Sequence, residues 1–141
     1  MNEIIRLLND KNAHLEKFLN FNEVELMNFF DGHFDNLDHF YQAREVILNI
    51  ISRIDELVEE AQDLQEDNVQ ITDQQKREIL QALEKKNNLV TEILSLDLQI
   101  LSAIEAEKSR IIKDLSQVKM AKKAMKGYRS KSKSNRLDEE A

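Results

Sequence analysis

The chain has 141 residues, 20 Lys and Arg against 27 Asp and Glu for a net charge of −7, two Gly, and no Pro, Cys or Trp. So few turn formers exclude a β-sandwich or barrel and disfavour a doubly wound α/β fold, and the lack of Cys removes disulfides, thiol nucleophiles and thiolate zinc sites. Gly-rich phosphate loops are absent, and a charged fraction of 33% in a chain rich in Glu, Lys and Leu fits long helices.

The first periodic segment covers about residues 2–30. Ile5, Leu8, Leu15, Leu19, Leu26 and Phe29 follow a three-four spacing that places them on one helical face. Asn12 and Asn22 interrupt that seam, and a polar seam residue fixes register at a cost in stability. Asp31-Gly32 supplies a stop, because Gly accepts the left-handed conformation after a helix.

The second segment, about 35–66, carries Leu37, Tyr41, Arg44, Leu48, Ile51, Ile54 or Asp55, and Val58 on the same spacing. Asp35 is placed to cap it, with Phe34 as a staple residue. Residues 67–71 read as a loop, and Thr72-Asp73-Gln74-Gln75 has the capping-box form.

The third segment opens there and runs to about 126, with Gly127 as its stop. Its seam is Leu80, Leu83, Val90, Leu94, Leu101, Ile104, Ile111, Leu115, Val118 and Met125. Between Leu89 and Ile104 apolar residues wrap much of the circumference, which predicts burial between two neighbours. Such a helix would be roughly 80 Å long against about 45 Å for each of the others, so it overhangs the hairpin, breaks, or frays at its end. These readings define an all-α antiparallel bundle of three long helices (four if the third breaks), coiled-coil-like, over residues 1–126. Residues 127–141 are Ser- and Lys-rich and predict a flexible, disordered tail.

Charge is divided unevenly. Residues 1–115 hold 12 basic and 24 acidic side chains, residues 116–137 eight basic and no acidic ones, and residues 138–141 three acidic ones. A basic stretch of this kind suits nucleic acid, an anionic membrane or a partner helix. The acidic body and the scarcity of aromatics near Tyr128 weaken the nucleic-acid reading. The membrane reading lacks Trp, Phe and Leu on the apolar face. Ile111, Ile112, Leu115, Val118, Met120 and Met125 form a strip suited to adaptable helix binding, set against the plainer reading of a solvated helix end.

Other constellations carry less. His14, His33 and His39 lack helical metal-motif spacing, so no metal ligands and no cofactor are expected. Asp55, Glu56, Glu59, Glu60, Asp63 and Glu66 read as a solvated face, because acid–base chemistry needs an enclosed pocket. No catalytic residues are expected, and the chain is not read as an enzyme. All six Phe lie between positions 18 and 40, which predicts an aromatic plug fastening the first hairpin, with an exposed partner patch as the alternative. The N-terminus has no basic region followed by an apolar run, and no stretch is apolar enough to span a bilayer; a cytoplasmic location is the expectation.

Two blocks carry a family resemblance. Phe30-Asp31-Gly32-His33-Phe34-Asp35-Asn36-Leu37, followed by Tyr41-Gln42-Ala43-Arg44-Glu45-Val46-Ile47-Leu48, resembles the first hairpin of flagellar export chaperones of the FlgN and FliT type, with Gly-His-Phe-Asp where those have a Gly-Asp-like turn. Residues 97–105 and 119–128 are similar to their late amphipathic helix, basic stretch and near-terminal Tyr. The resemblance implies a cytosolic chaperone of type III export. It would bind the C-terminal helical segment of a hook–filament junction or filament cap protein and deliver it to the export gate. It also implies a substrate-helix groove of Ile104, Ile111, Leu115 and Val118, and an export-gate contact at Tyr128. Two alternatives stand beside it: a structural coiled-coil adaptor that binds a protein partner or self-associates, and a nucleic-acid or membrane-surface binder acting through the basic tail.

Overall fold

The computed structural model describes the backbone of residues 1–65 and 70–140, and side chains as far as Tyr128 except at 66–69. Three helices follow in order: α1 Asn2–Phe30, α2 Leu37–Asp63 and α3 Asp73–Glu140. The chain divides into two compact units, Met1–Ala103 and Ile104–Ala141. The first is the three-helix bundle; the second is the remainder of α3.

The α1–α2 turn is built by the backbone. Gly32 has φ +81°, its N–H donates to the Phe29 carbonyl at 3.0 Å, and the His33 N–H donates to Asn28 at 2.8 Å. This is a Schellman ending, with Gly at the one position where a Cβ is disfavoured. Asp35 does not cap α2. The helix begins two residues later at Leu37, with Asn36 as N-cap and no side-chain cap bond. The Phe40 N–H donates to the Asn36 carbonyl at 2.9 Å. Phe34 stacks on Phe29 at 4.9 Å instead of serving as a staple. α2 ends at Asp63, short of Glu66; most of the expected 67–71 loop lies outside the described residues.

The capping box at α3 is present. The Gln75 N–H donates to Thr72 Oγ1, and the Thr72 N–H donates to Gln75 Oε1, both at 3.1 Å. Gln75 Nε2 also donates to Asn2 Oδ1 at 3.1 Å, tying the starts of α3 and α1 together. Gly127 is not a helix end: α3 continues through it to Glu140. A glycine stops a helix by turning left-handed, and Gly127 does not do so. The side chains of 129–141 lie outside the described residues.

Helix α1 is central to the first unit, and its seam follows the predicted spacing except at Leu8, which is half-buried while its neighbour Leu7 is buried. Ile5, Asn12, Leu15, Leu19, Asn22, Leu26 and Phe29 are buried, joined by Ile4, Leu7 and Phe18. A helix with two neighbours buries more than one stripe. Leu15, Phe18 and Leu19 form a cluster with Leu89 and Ile93 of α3, and Ile47 and Ile51 of α2 pack on it.

The α3 seam is displaced from its expected register. Ala82, Leu89, Ile93, Ile100 and Ile104 are buried, whereas Leu80, Leu94 and Leu101 are exposed. Two three-four stripes coexist here, and polar partners select between them. The chosen stripe puts the small Ala82 beneath Asn12 and turns Asp97 inward to Asn22 and Arg44. In α2, Phe40 and Ile54 are buried and Arg44, Ile47, Ile51 and Val58 half-buried. Ile54 rather than Asp55 holds the seam, and Tyr41 and Leu48 sit at its exposed border.

The two seam asparagines are costly. Asn12 Nδ2 donates to the Ala82 carbonyl at 2.9 Å, but the Oδ1 atoms of Asn12 and Asn22 are buried without a partner. Such an acceptor loses hydration without replacement. Asn12→Leu should therefore raise unfolding stability by about 1 kcal/mol, since the Ala82 carbonyl keeps its helical donor. Urea titration of both proteins checks this; a comparable loss would show that the site cannot admit the larger side chain.

Candidate functional site: an uncovered stripe on α3

The aromatic plug forms around Phe40, with Phe30 left exposed outside it. Phe40, 2% exposed, stacks on Phe21 at 5.5 Å, meets Phe29 edge-on at 5.5 Å and touches Tyr41 at 5.6 Å. Beside it, Asp97 accepts from Arg44 at 3.2 Å and from Asn22 at 3.4 Å on its two oxygens. The Arg44 guanidinium also lies 5.9 Å from the Phe18 ring centre. This joins one charged residue of α2, one of α3 and one amide of α1, and it fixes the relative register of all three. Sequence spacing places Arg44 on the seam but gives no sign that Asp97 is its partner.

His33 and His39 are exposed and His14 half-buried, and among the described residues no group of three or more His, Asp or Glu could hold a metal. The acidic residues of α2 are engaged with neighbours in part: Lys11 Nζ meets Asp55 at 2.7 Å and Arg53 meets Glu56 at 2.9 Å. Glu66 lies outside the described residues. A recess of ≈ 320 Å³ between the helices, with Ile4, Leu8, Val58, Ile79 and Leu83 in its walls, is mainly apolar. Among the described residues no helix is long and apolar enough to cross a membrane.

The expected groove residues separate into two environments. Ile104 is 3% exposed, while Ile111 is 45%, Leu115 56% and Val118 49% exposed. Ile93, Ile100 and Ile104 follow the three-four spacing and are buried; Ile111, Leu115, Val118 and Met125 continue that spacing and are not. The three-four stripe thus carries on along the helix without a covering partner among the described residues. Lys108 and Lys122 occupy two positions of the same stripe, and Lys119, Lys123 and Lys126 flank it. Ile112, Met120 and Tyr128 are exposed as well. The helix here is held by local ion pairs: Arg110 bonds Glu107 one turn back and Asp114 one turn on. The Arg110 guanidinium holds the Glu107 carboxyl below the usual carboxylate range, and Glu107 raises Arg110 in turn. An amphipathic helix of this kind is a ready partner for another.

Comparison of the chain with known protein families, characterised proteins and solved structures finds no match.

Proposed function

We propose that this protein is a non-enzymatic, cytosolic helix-binding chaperone of flagellar type III export. It holds the C-terminal helical segment of a hook–filament junction or filament cap protein until delivery to the export gate. The observation that carries the helix-binding part is the stripe Ile111, Leu115, Val118 and Met125, exposed on the spacing that forms the core up to Ile104. A partner helix laid on it would bury those side chains and bring acidic groups toward Lys119, Lys122 and Lys126. The flagellar assignment rests on the hairpin and late-helix resemblance. In this reading Tyr128 is the residue left free for the export gate.

Co-expression with the C-terminal segments of the two junction proteins and the cap from the same organism tests it. A stoichiometric complex with one of them is expected, and deletion of residues 104–128 should abolish it. A folded, helical chain that retains none of the three would overturn the flagellar assignment.

A further inference from the structure

A second stripe runs along α3, on a different face. Leu94, Leu98, Leu101, Glu105, Lys108, Ile112, Leu115 and Lys119 repeat with alternating four- and three-residue steps, and every one is exposed. Ser95, Ser102, Ser109 and Ser116 recur every seven residues along its edge, also exposed. This is coiled-coil patterning whose seam faces solvent. Its order is self-complementary when reversed. Read from the centre outward, Glu105 mirrors Lys108, Leu101 mirrors Ile112, Leu98 mirrors Leu115, and Leu94 mirrors Lys119.

We infer that two copies of this chain associate through antiparallel pairing of their α3 helices over residues 94–119, about a two-fold axis at Ala106-Glu107. In that register each layer joins unlike heptad positions, as antiparallel packing requires. Leu98 meets Leu115 of the other copy, and Leu101 meets its Ile112. At the centre Glu105 lies against Lys108 of the other copy, twice over by symmetry. Each Glu105 is already 3.5 Å from its own Lys108, so the four groups close into a ring of alternating sign. In a parallel pair in register, Glu105 would face Glu105 and Lys108 would face Lys108, so the charges select the antiparallel arrangement. The serine edge is small enough to admit close approach. A two-fold interface uses the same patch on both copies, which is what a reversed self-complementary stripe provides.

This goes beyond helix capture. It shares Lys108, Leu115 and Lys119 with the capture surface but not Leu98, Leu101 or Ile112, so the two are separable at Leu98. Sedimentation equilibrium of the full chain should give a dimer. Leu98→Asp should leave a monomer with unchanged helical circular dichroism and intact partner capture, because Leu98 is exposed and lies outside that stripe. Glu105→Lys alone and Lys108→Glu alone should each weaken association by roughly tenfold or more. The double variant Glu105→Lys, Lys108→Glu should restore it, since the ring is rebuilt with its signs exchanged. A monomer throughout the accessible concentration range, association indifferent to Leu98→Asp, or a double variant no better than the singles would overturn the inference.

Discussion

Phe40→Ala should lower the unfolding free energy by about 3–5 kcal/mol, the usual cost of emptying a buried aromatic site. A domain of this size has only about 5–15 kcal/mol in total, so the variant should be partly unfolded or melt far below the parent. The effect is large because Phe40 is where the hairpin closes: its ring contacts Phe21 and Phe29 of α1 and Tyr41 of α2. Neighbouring side chains come from helix backbones that cannot collapse into the void. Phe30→Ala provides the contrast. Phe30 is exposed, and its loss should change stability by no more than about 0.5 kcal/mol. Thermal and urea unfolding followed by circular dichroism checks both. A cost below about 1 kcal/mol at Phe40 would show that the aromatic cluster does not fasten the hairpin.

The double substitution Leu115→Asp, Val118→Asp should weaken capture of the partner helix by roughly 100-fold or more. Two apolar anchors at the centre of a helix interface contribute at least ~1.4 kcal/mol each, and each Asp adds a carboxylate that must be desolvated. Both side chains are already exposed in the free chain, so the circular dichroism signal and melting temperature should stay close to the parent. Isothermal titration with the captured segment measures the loss. Unaltered affinity would place the binding surface elsewhere.

The parts of the fold that are legible in the sequence share a physical cause. The α1 seam is largely legible because, lying between two neighbours, the helix buries both members of pairs such as Ile4-Ile5 and Phe18-Leu19, so the choice between them seldom matters. The Schellman turn at Gly32 and the capping box at Thr72 and Gln75 are legible because each depends on a few adjacent residues. The α3 seam is not, because Ile93 and Leu94, or Ile100 and Leu101, are equally apolar neighbours. Which of each pair faces inward depends on Asp97 meeting Arg44 and Asn22, a contact set by packing across all three helices. The start of α2 differs from the Asp35 expectation for a local reason: the Leu37 N–H donates to the Phe34 carbonyl at 3.2 Å, so a backbone acceptor takes one of the first-turn donors that a side-chain cap would serve. In the candidate site, periodicity names Ile104, Ile111, Leu115 and Val118 together. Burial separates Ile104 from the other three, and no spacing rule could have drawn that line.

Hydrogen–deuterium exchange of the chain, free and with its partner helix bound, tests the central claim most directly. In the Leu98→Asp monomer, peptides covering residues 111–125 should exchange rapidly when free and slow strongly in the complex. Those covering Leu15–Leu26, already protected by core packing, should change little. Protection confined to the α1–α2 hairpin, with residues 111–125 exchanging as fast as before, would contradict the account.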